Sequence, residues 1–153
     1  MMRQLRQLAR DNRGAAIIEL ALLAPVLATL TIGAIDMSNA FGRKLQLEQA
    51  AQRAIEKVAN TTGVDTVEST IKQEAVAQAK DITTDQVAVT FRLECNFVVQ
   101  ADPNGDCAPG QTTNRYILVA VSDTYTPMFG ITFTGLNADG TYHIRARAGV
   151  RVQ

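Results

Sequence analysis

The stretch from Asn12 to Met37, NRGAAIIELALLAPVLATLTIGAIDM, decides how the rest of the chain is read. From Ala15 to Ile35 it stays apolar for about 21 residues, and at roughly 1.5 Å per helical residue that length crosses a hydrocarbon layer of about 30 Å. A helix buried in a soluble core would need a polar face toward water, and this stretch has almost none. A secretory signal would have a shorter apolar region closed by small residues, for which Ser38-Asn39-Ala40 is the candidate site. The stretch reads best as a membrane span. Arg3, Arg6, Arg10 and Arg13 all precede it. The positive-inside rule then keeps the N-terminus in the cytoplasm and puts everything after Asp36 across the membrane.

One charge, Glu19, interrupts the span. An isolated acid in a lipid-facing helix costs about 2.5 to 3.5 kcal/mol on insertion scales, so it needs a reason. The plain reason is its position about a turn inside the interface, within reach of headgroups. The alternative is an assembly role, which needs a cation, and the span holds no Lys, Arg or His. A free α-amine would serve if the chain were cut just before Ala15.

The run Arg13-Gly14-Ala15-Ala16-Ile17-Ile18-Glu19, behind a short basic leader and ahead of a long apolar helix, resembles a type IV prepilin processing site. The resemblance implies that a membrane-embedded prepilin peptidase cuts between Gly14 and Ala15, removing residues 1–14, often with methylation of the new N-terminus. It also implies that the Glu19 carboxylate meets the α-ammonium of a neighbouring subunit once the helices leave the bilayer for a filament. Each charge alone in an apolar stack is costly, and pairing offsets much of that cost, so the pair acts as a register pin. Pro25 has no N–H, so it is expected to kink the helix or leave the Ala21 carbonyl without its donor. Gly33 is a second weak point.

Beyond the span the helical period continues, with Leu47, Ala50, Ala51, Ala54, Ile55 and Val58 three and four residues apart. Arg43, Lys44, Glu48, Gln52, Arg53, Glu56 and Lys57 take the rest of the helix surface. One helix is therefore predicted from about Ala15 to Ala59, half in lipid and half the spine of a domain spanning residues 36–153, with Gly63 as a plausible stop. Val64, Val67, Ile71 and Ala75 predict a weaker second helix to about Lys80. The period then changes to two. Val87 to Val99 alternates as one long strand, and Arg115 to Asp123, containing YILVAVS, is apolar on both faces and reads as a central strand. Tyr142 to Val152 alternates with His143, Arg145, Arg147 and Arg151 as the last strand. The long segment from Thr124 to Gly140 carries Met128, Phe129, Ile131 and Phe133, predicted as a short extra strand or an apolar lobe packed back on the domain. The fold class is α+β, a pilin-like long N-terminal helix packed on a small antiparallel sheet.

Chemistry-bearing residues are sparse. The 153 residues contain one histidine, His143, and two cysteines, with a formal net charge of zero. No nucleophile elbow, phosphate-cradling glycine loop or metal-ligand array is visible, so neither an enzyme nor a cofactor is expected. Nucleic acid is not expected as a partner either, since no basic stripe interleaved with aromatics follows the leader. Cys95 and Cys107 flank NFVVQADPNGD, and an oxidising compartment would favour a disulfide, with two reduced thiols as the alternative. Asp102, Asn104 and Asp106 have the spacing that opens a calcium loop, but the later half of that motif is missing, and an ordinary turn is the better reading. The basic strand face His143, Arg145, Arg147 and Arg151 is either solvated or set to meet an acidic partner subunit.

Among pilin-like families, the major Flp-type pilins are short and place Tyr after the motif acid, whereas here Leu20 follows Glu19 and well over a hundred residues come after the span. Type II secretion pseudopilins usually start with Phe after the cut, where this chain has Ala15. The opening ARDNRGAAIIELALLAPVL is most similar to the TadE-like pseudopilins, minor subunits of the Tad/Flp pilus machinery. TadF- and TadG-like proteins share that opening. The resemblance implies a bacterial inner-membrane protein with its C-terminal domain in the periplasm. Its implied partners are the prepilin peptidase, the major Flp-type pilin and a second pseudopilin of the TadF/TadG kind. A membrane-anchored periplasmic binding or scaffold domain is the reading from another class.

Overall fold

The computed structural model describes residues 13–60, 67–129 and 137–152. The chain divides into two compact units between Ser38 and Asn39, and helix α1 (Arg13–Asn60, 48 residues) supplies residues to both.

In the first unit α1 presents its apolar side chains outward. Ile17, Ile18, Leu20, Leu22, Leu27 and Leu30 are all exposed, and the helix is long and apolar enough to cross a membrane. A face this apolar is stable only where lipid or another apolar surface replaces water. The helix runs unbroken through Pro25. Two hydroxyls that would be costly in lipid are satisfied within the helix: Thr29 Oγ1 donates to the Pro25 carbonyl, and Thr31 Oγ1 to that of Leu27 at 2.8 Å.

In the second unit the later part of α1 packs by a narrow stripe. Leu47, Ala50, Ala51, Ala54 and Val58 are fully buried. Their spacing of three and four places them on one face, and the alanines let the helix backbone approach its support closely. Helix α2 (Glu68–Gln78) adds buried Ile71 and Ala75 to the same core. It is shorter than expected at its start: Val67 stands at the N-cap, exposed, while Gly63 and Val64 lie outside the described residues. A 3₁₀ turn, Thr84–Gln86, leads into the sheet.

Four antiparallel strands, β1 (Val87–Cys95), β2 (Val98–Val99), β3 (Thr113–Tyr125) and β4 (Tyr142–Arg151), lie in the order β2-β1-β3-β4. Register aligns Val87 with Val121 and Val121 with Ala146, then Val89 with Val119 and Val119 with Ala148, then Phe91 with Ile117 and Ile117 with Val150. Opposed residues of a pleated sheet share a face, so these rows form one apolar surface beneath the helices. Val87, Ile117, Val119, Val121, Ile144 and Ala146 are buried in it with the helical stripe. The architecture is α+β, a long N-terminal helix on a small antiparallel sheet.

One strand expectation needs correction. The strand predicted over Val87 to Val99 ends at Cys95, where Asn96 and Phe97 both turn to positive φ (50° and 66°) and Val98 folds back beside Cys95. Apolar alternation persists across this two-residue turn, so periodicity cannot detect it, and Phe97 gives none of the Gly signal such turns usually carry. Phe97, Val98 and Val99 are consequently exposed rather than on a buried face. Strand β3 is inner, as its composition predicts; Ile117, Val119 and Val121 on one face are buried, and Leu118 on the other is 37% exposed. Of the lobe residues, Met128 and Phe129 are exposed, while Ile131 and Phe133 lie outside the described residues.

Candidate assembly site

The candidate site begins at the head of α1. Gly14 and Glu19 both fall within the helix and are exposed. A Cβ built at Gly14 would meet nothing within 4 Å among the described residues, so no packing there demands glycine. Glu19 stands five positions after Gly14 on the helix, at the head of the exposed apolar run that continues through Leu20, Leu22 and Leu27.

The sequence-predicted residues of the globular unit lie elsewhere. Cys95 and Cys107 form a disulfide, with Cα atoms 5.5 Å apart, at the end of β1. The adjoining turn is held by hydrogen bonds. Asn104 N–H donates to Asp102 Oδ1 at 2.9 Å, and Arg115 donates to the carbonyls of Pro103 (3.1 Å) and Gly105 (2.8 Å) and to Asp106 Oδ1 (3.1 Å). This is an Asx turn clamped by a guanidinium. Among the described residues no group of three or more His, Cys, Asp or Glu is placed to hold a metal ion. A cleft of about 300 Å³ beside that turn is lined by Glu68, Phe91, Arg115, Tyr116 and Val152, among others. Arg115 is already committed to the turn and offers the cleft little binding capacity.

His143, Arg145, Arg147 and Arg151 are exposed along the outer side of β4. Register puts Arg147 beside Ala120 and Ala120 beside Ala88, so the arginines border a floor of small residues.

Two features escaped the sequence reading. Arg43, grouped with the solvent-facing charges of α1, is part-buried against Asp123. Asn114, at the start of β3, is 1% exposed, and its amide makes no hydrogen bond among the described residues. A lone Asn in an apolar strand resembles many exposed ones, and no spacing marks it.

A long, outwardly apolar helix on an antiparallel sheet, with an acid near its start, defines the class. Residues 14–55 match the family model described as TadE-like protein, a similarity confined to the stretch that contains both Glu19 and the first buried alanines of α1. No curated protein and no solved structure matches the chain significantly.

Proposed function

We propose that this protein is a minor pilin, or pseudopilin, that helps initiate or support assembly of a Tad (Flp-type) adhesive pilus. In this reading it is not an enzyme. It is inserted once in the inner membrane of a bacterium, with Arg3 to Arg13 cytoplasmic and residues 36–153 periplasmic, and prepilin peptidase removes residues 1–14. The observation that carries the reading is the Gly14-to-Glu19 motif at the head of an exposed apolar helix, inside the TadE-like match.

The mechanism follows from electrostatics in a medium of low dielectric constant. Cleavage before Ala15 creates an ammonium. A Glu19 carboxylate from the adjacent subunit pairs with it, and mismatched axial offsets between helices leave both charges unpaired in an apolar stack. The pair thus sets register while the leucine and isoleucine face supplies the contact area. Major Flp-type pilin and a second pseudopilin of the TadF/TadG kind are the proposed neighbours.

The test is the mass of the mature N-terminus from the native host. A start at Ala15 supports processing as a prepilin. Retention of all the leading arginines would falsify the reading, and a start near Phe41 would assign cleavage to signal peptidase instead. Glu19→Ala is expected to leave membrane insertion intact and impair pilus assembly.

A further inference from the structure

We infer, on the strength of the proposed membrane span and of no other part of the pilin reading, that the segment following β3, residues 125–129, is an interfacial anchor. It seats the globular unit on the phospholipid surface from which α1 emerges.

Two contacts within the second unit fix where that segment lies. Arg43 on α1 holds Asp123 near the end of β3, and one turn earlier on the helix Asn39 Nδ2 donates to Met128 Sδ at 3.5 Å. Strand β3 therefore runs along α1 toward the N-terminal side of the helix, and residues 125–129 come out beside Asn39. Asn39 stands four residues past Ile35, the end of the apolar run, which is about 6 Å along a helix. The polar layer outside a hydrocarbon core of about 30 Å is roughly 5 to 8 Å deep on each side. Covalent continuity alone thus puts Asn39, and Met128 with it, at headgroup depth when the apolar run spans a bilayer.

The side chains there fit that layer. Residues 125–129 read Tyr-Thr-Pro-Met-Phe and carry no charge. Tyr125 is aligned with Tyr142 at the end of the β3–β4 ladder, which brings two amphipathic rings to this end of the sheet. Tyrosines collect at bilayer interfaces because an apolar ring with a polar tip matches both sides of the boundary. Met128 is 71% exposed, and Phe129 and, on α1, Phe41 are exposed as well. Large apolar side chains are costly against water and favourable against the headgroup and acyl boundary. Pro127 has no N–H to leave unmatched there. Phe97, Val98 and Val99 form another exposed apolar group, but register places it at the opposite end of the sheet, with Cys95 aligned to Thr113 and Val87 to Val121. That group lacks the continuity with the span that singles out lipid as the occupant at Met128.

The chain contains no tryptophan, so a single introduced one reports alone. Full-length Phe129→Trp, Met128→Trp, Phe97→Trp and Leu27→Trp are each reconstituted in phosphatidylcholine nanodiscs, which leave both faces open to aqueous iodide. The lipid carries a spin label on its acyl chains, either near the headgroup or near the bilayer centre. Phe129→Trp and Met128→Trp are expected to be quenched by the shallow label on the order of twofold more than by the deep one, and to be poorly reached by iodide. Phe97→Trp should be reached by iodide and spared by both labels. Circular dichroism and an intact Cys95–Cys107 bond check that each variant folds. Iodide access at positions 128 and 129 equal to that at position 97 overturns the anchor. Shielding from iodide without quenching by lipid also overturns it, because protein then covers the site. Leu27→Trp separates the two failures: quenching there by the deep label, with none at positions 128 and 129, keeps the span and removes the anchor, whereas escape from the deep label removes the span and the anchor together.

Discussion

Arg43 on α1 and Asp123 on β3 form a part-buried ion pair, with Arg43 Nε 2.6 Å from Asp123 Oδ2. The same guanidinium donates to the Lys80 carbonyl at 2.8 Å, and Gln86 Nε2 donates to Asp123 Oδ1 at 3.0 Å. One charge pair therefore ties the helix, the end of α2, the 3₁₀ turn and the central strand together. Charge-assisted bonds of this kind, once broken, leave the other partner desolvated and unpaired. Asp123→Ala is expected to lower unfolding stability by about 2 kcal/mol, and Asp123→Asn, which keeps the shape and part of the bonding, by about half that. Urea unfolding of the detergent-solubilised protein, followed by circular dichroism, measures both.

Phe97 occupies the second position of a two-residue turn at φ 66° and is 78% exposed. Left-handed backbone costs a residue with a Cβ roughly 1 to 2 kcal/mol, and glycine is free of that cost. Because almost no packing is lost from so exposed a ring, Phe97→Gly should raise stability by about 1 kcal/mol. A midpoint that falls instead would show that the ring is packed in a way its exposure does not suggest.

The Cys95–Cys107 bond closes a segment with a sequence separation of 12. In the chain-entropy treatment a loop of that size contributes about 3 kcal/mol by restricting the unfolded chain. Replacing both cysteines by serine should cost roughly that amount. It should loosen the turn clamped by Arg115 first, because Asn96 and Thr112 exchange their bonds (both 2.9 Å) next to the bridge. Faster amide exchange at Asn96 and Asn104 than in the core of β3 would report this, whereas uniform exchange would argue against it.

Asp139 sits in the turn before β4. The Thr141 hydroxyl donates to its Oδ1 at 2.6 Å and the Thr141 N–H at 3.1 Å, and together they hold the carboxyl below its ordinary value. A depressed folded pKa means the bonded, charged form stabilises the turn. That contribution is complete above the ordinary carboxylate range and disappears as pH falls through the lowered value. Thr141→Ala removes the larger cause, so the Asp139 titration, followed by its carboxyl-carbon NMR shift, should move upward. The effect on global stability is small, because the group is exposed to solvent screening.

Much of this protein could be read along the chain because its strongest signals are local. An uninterrupted apolar run, a basic leader and a lone acid need no partner to be recognised. The α1 stripe from Leu47 to Val58 and the alternation in β1 and β4 reflect one-sided burial, which repeats at the period of the element that carries it. The motif from Gly14 to Glu19 is local in the same sense, since six consecutive positions hold it. The break at Asn96 was not, because a two-residue turn leaves alternation in phase on both sides.

By itself the sequence determined that this chain has one helix built for an apolar medium, followed by an α+β domain with a single candidate cysteine bridge. Tertiary structure alone decided that Arg43 turns inward to Asp123, that Asn114 is buried with its amide unmatched among the described residues, and that Leu118 of β3 stays exposed while Val119 beside it is buried. Periodicity records whether a residue avoids water. It does not record which distant strand, charge or second molecule excludes that water, because those distances are set by the packing of segments far apart in the chain.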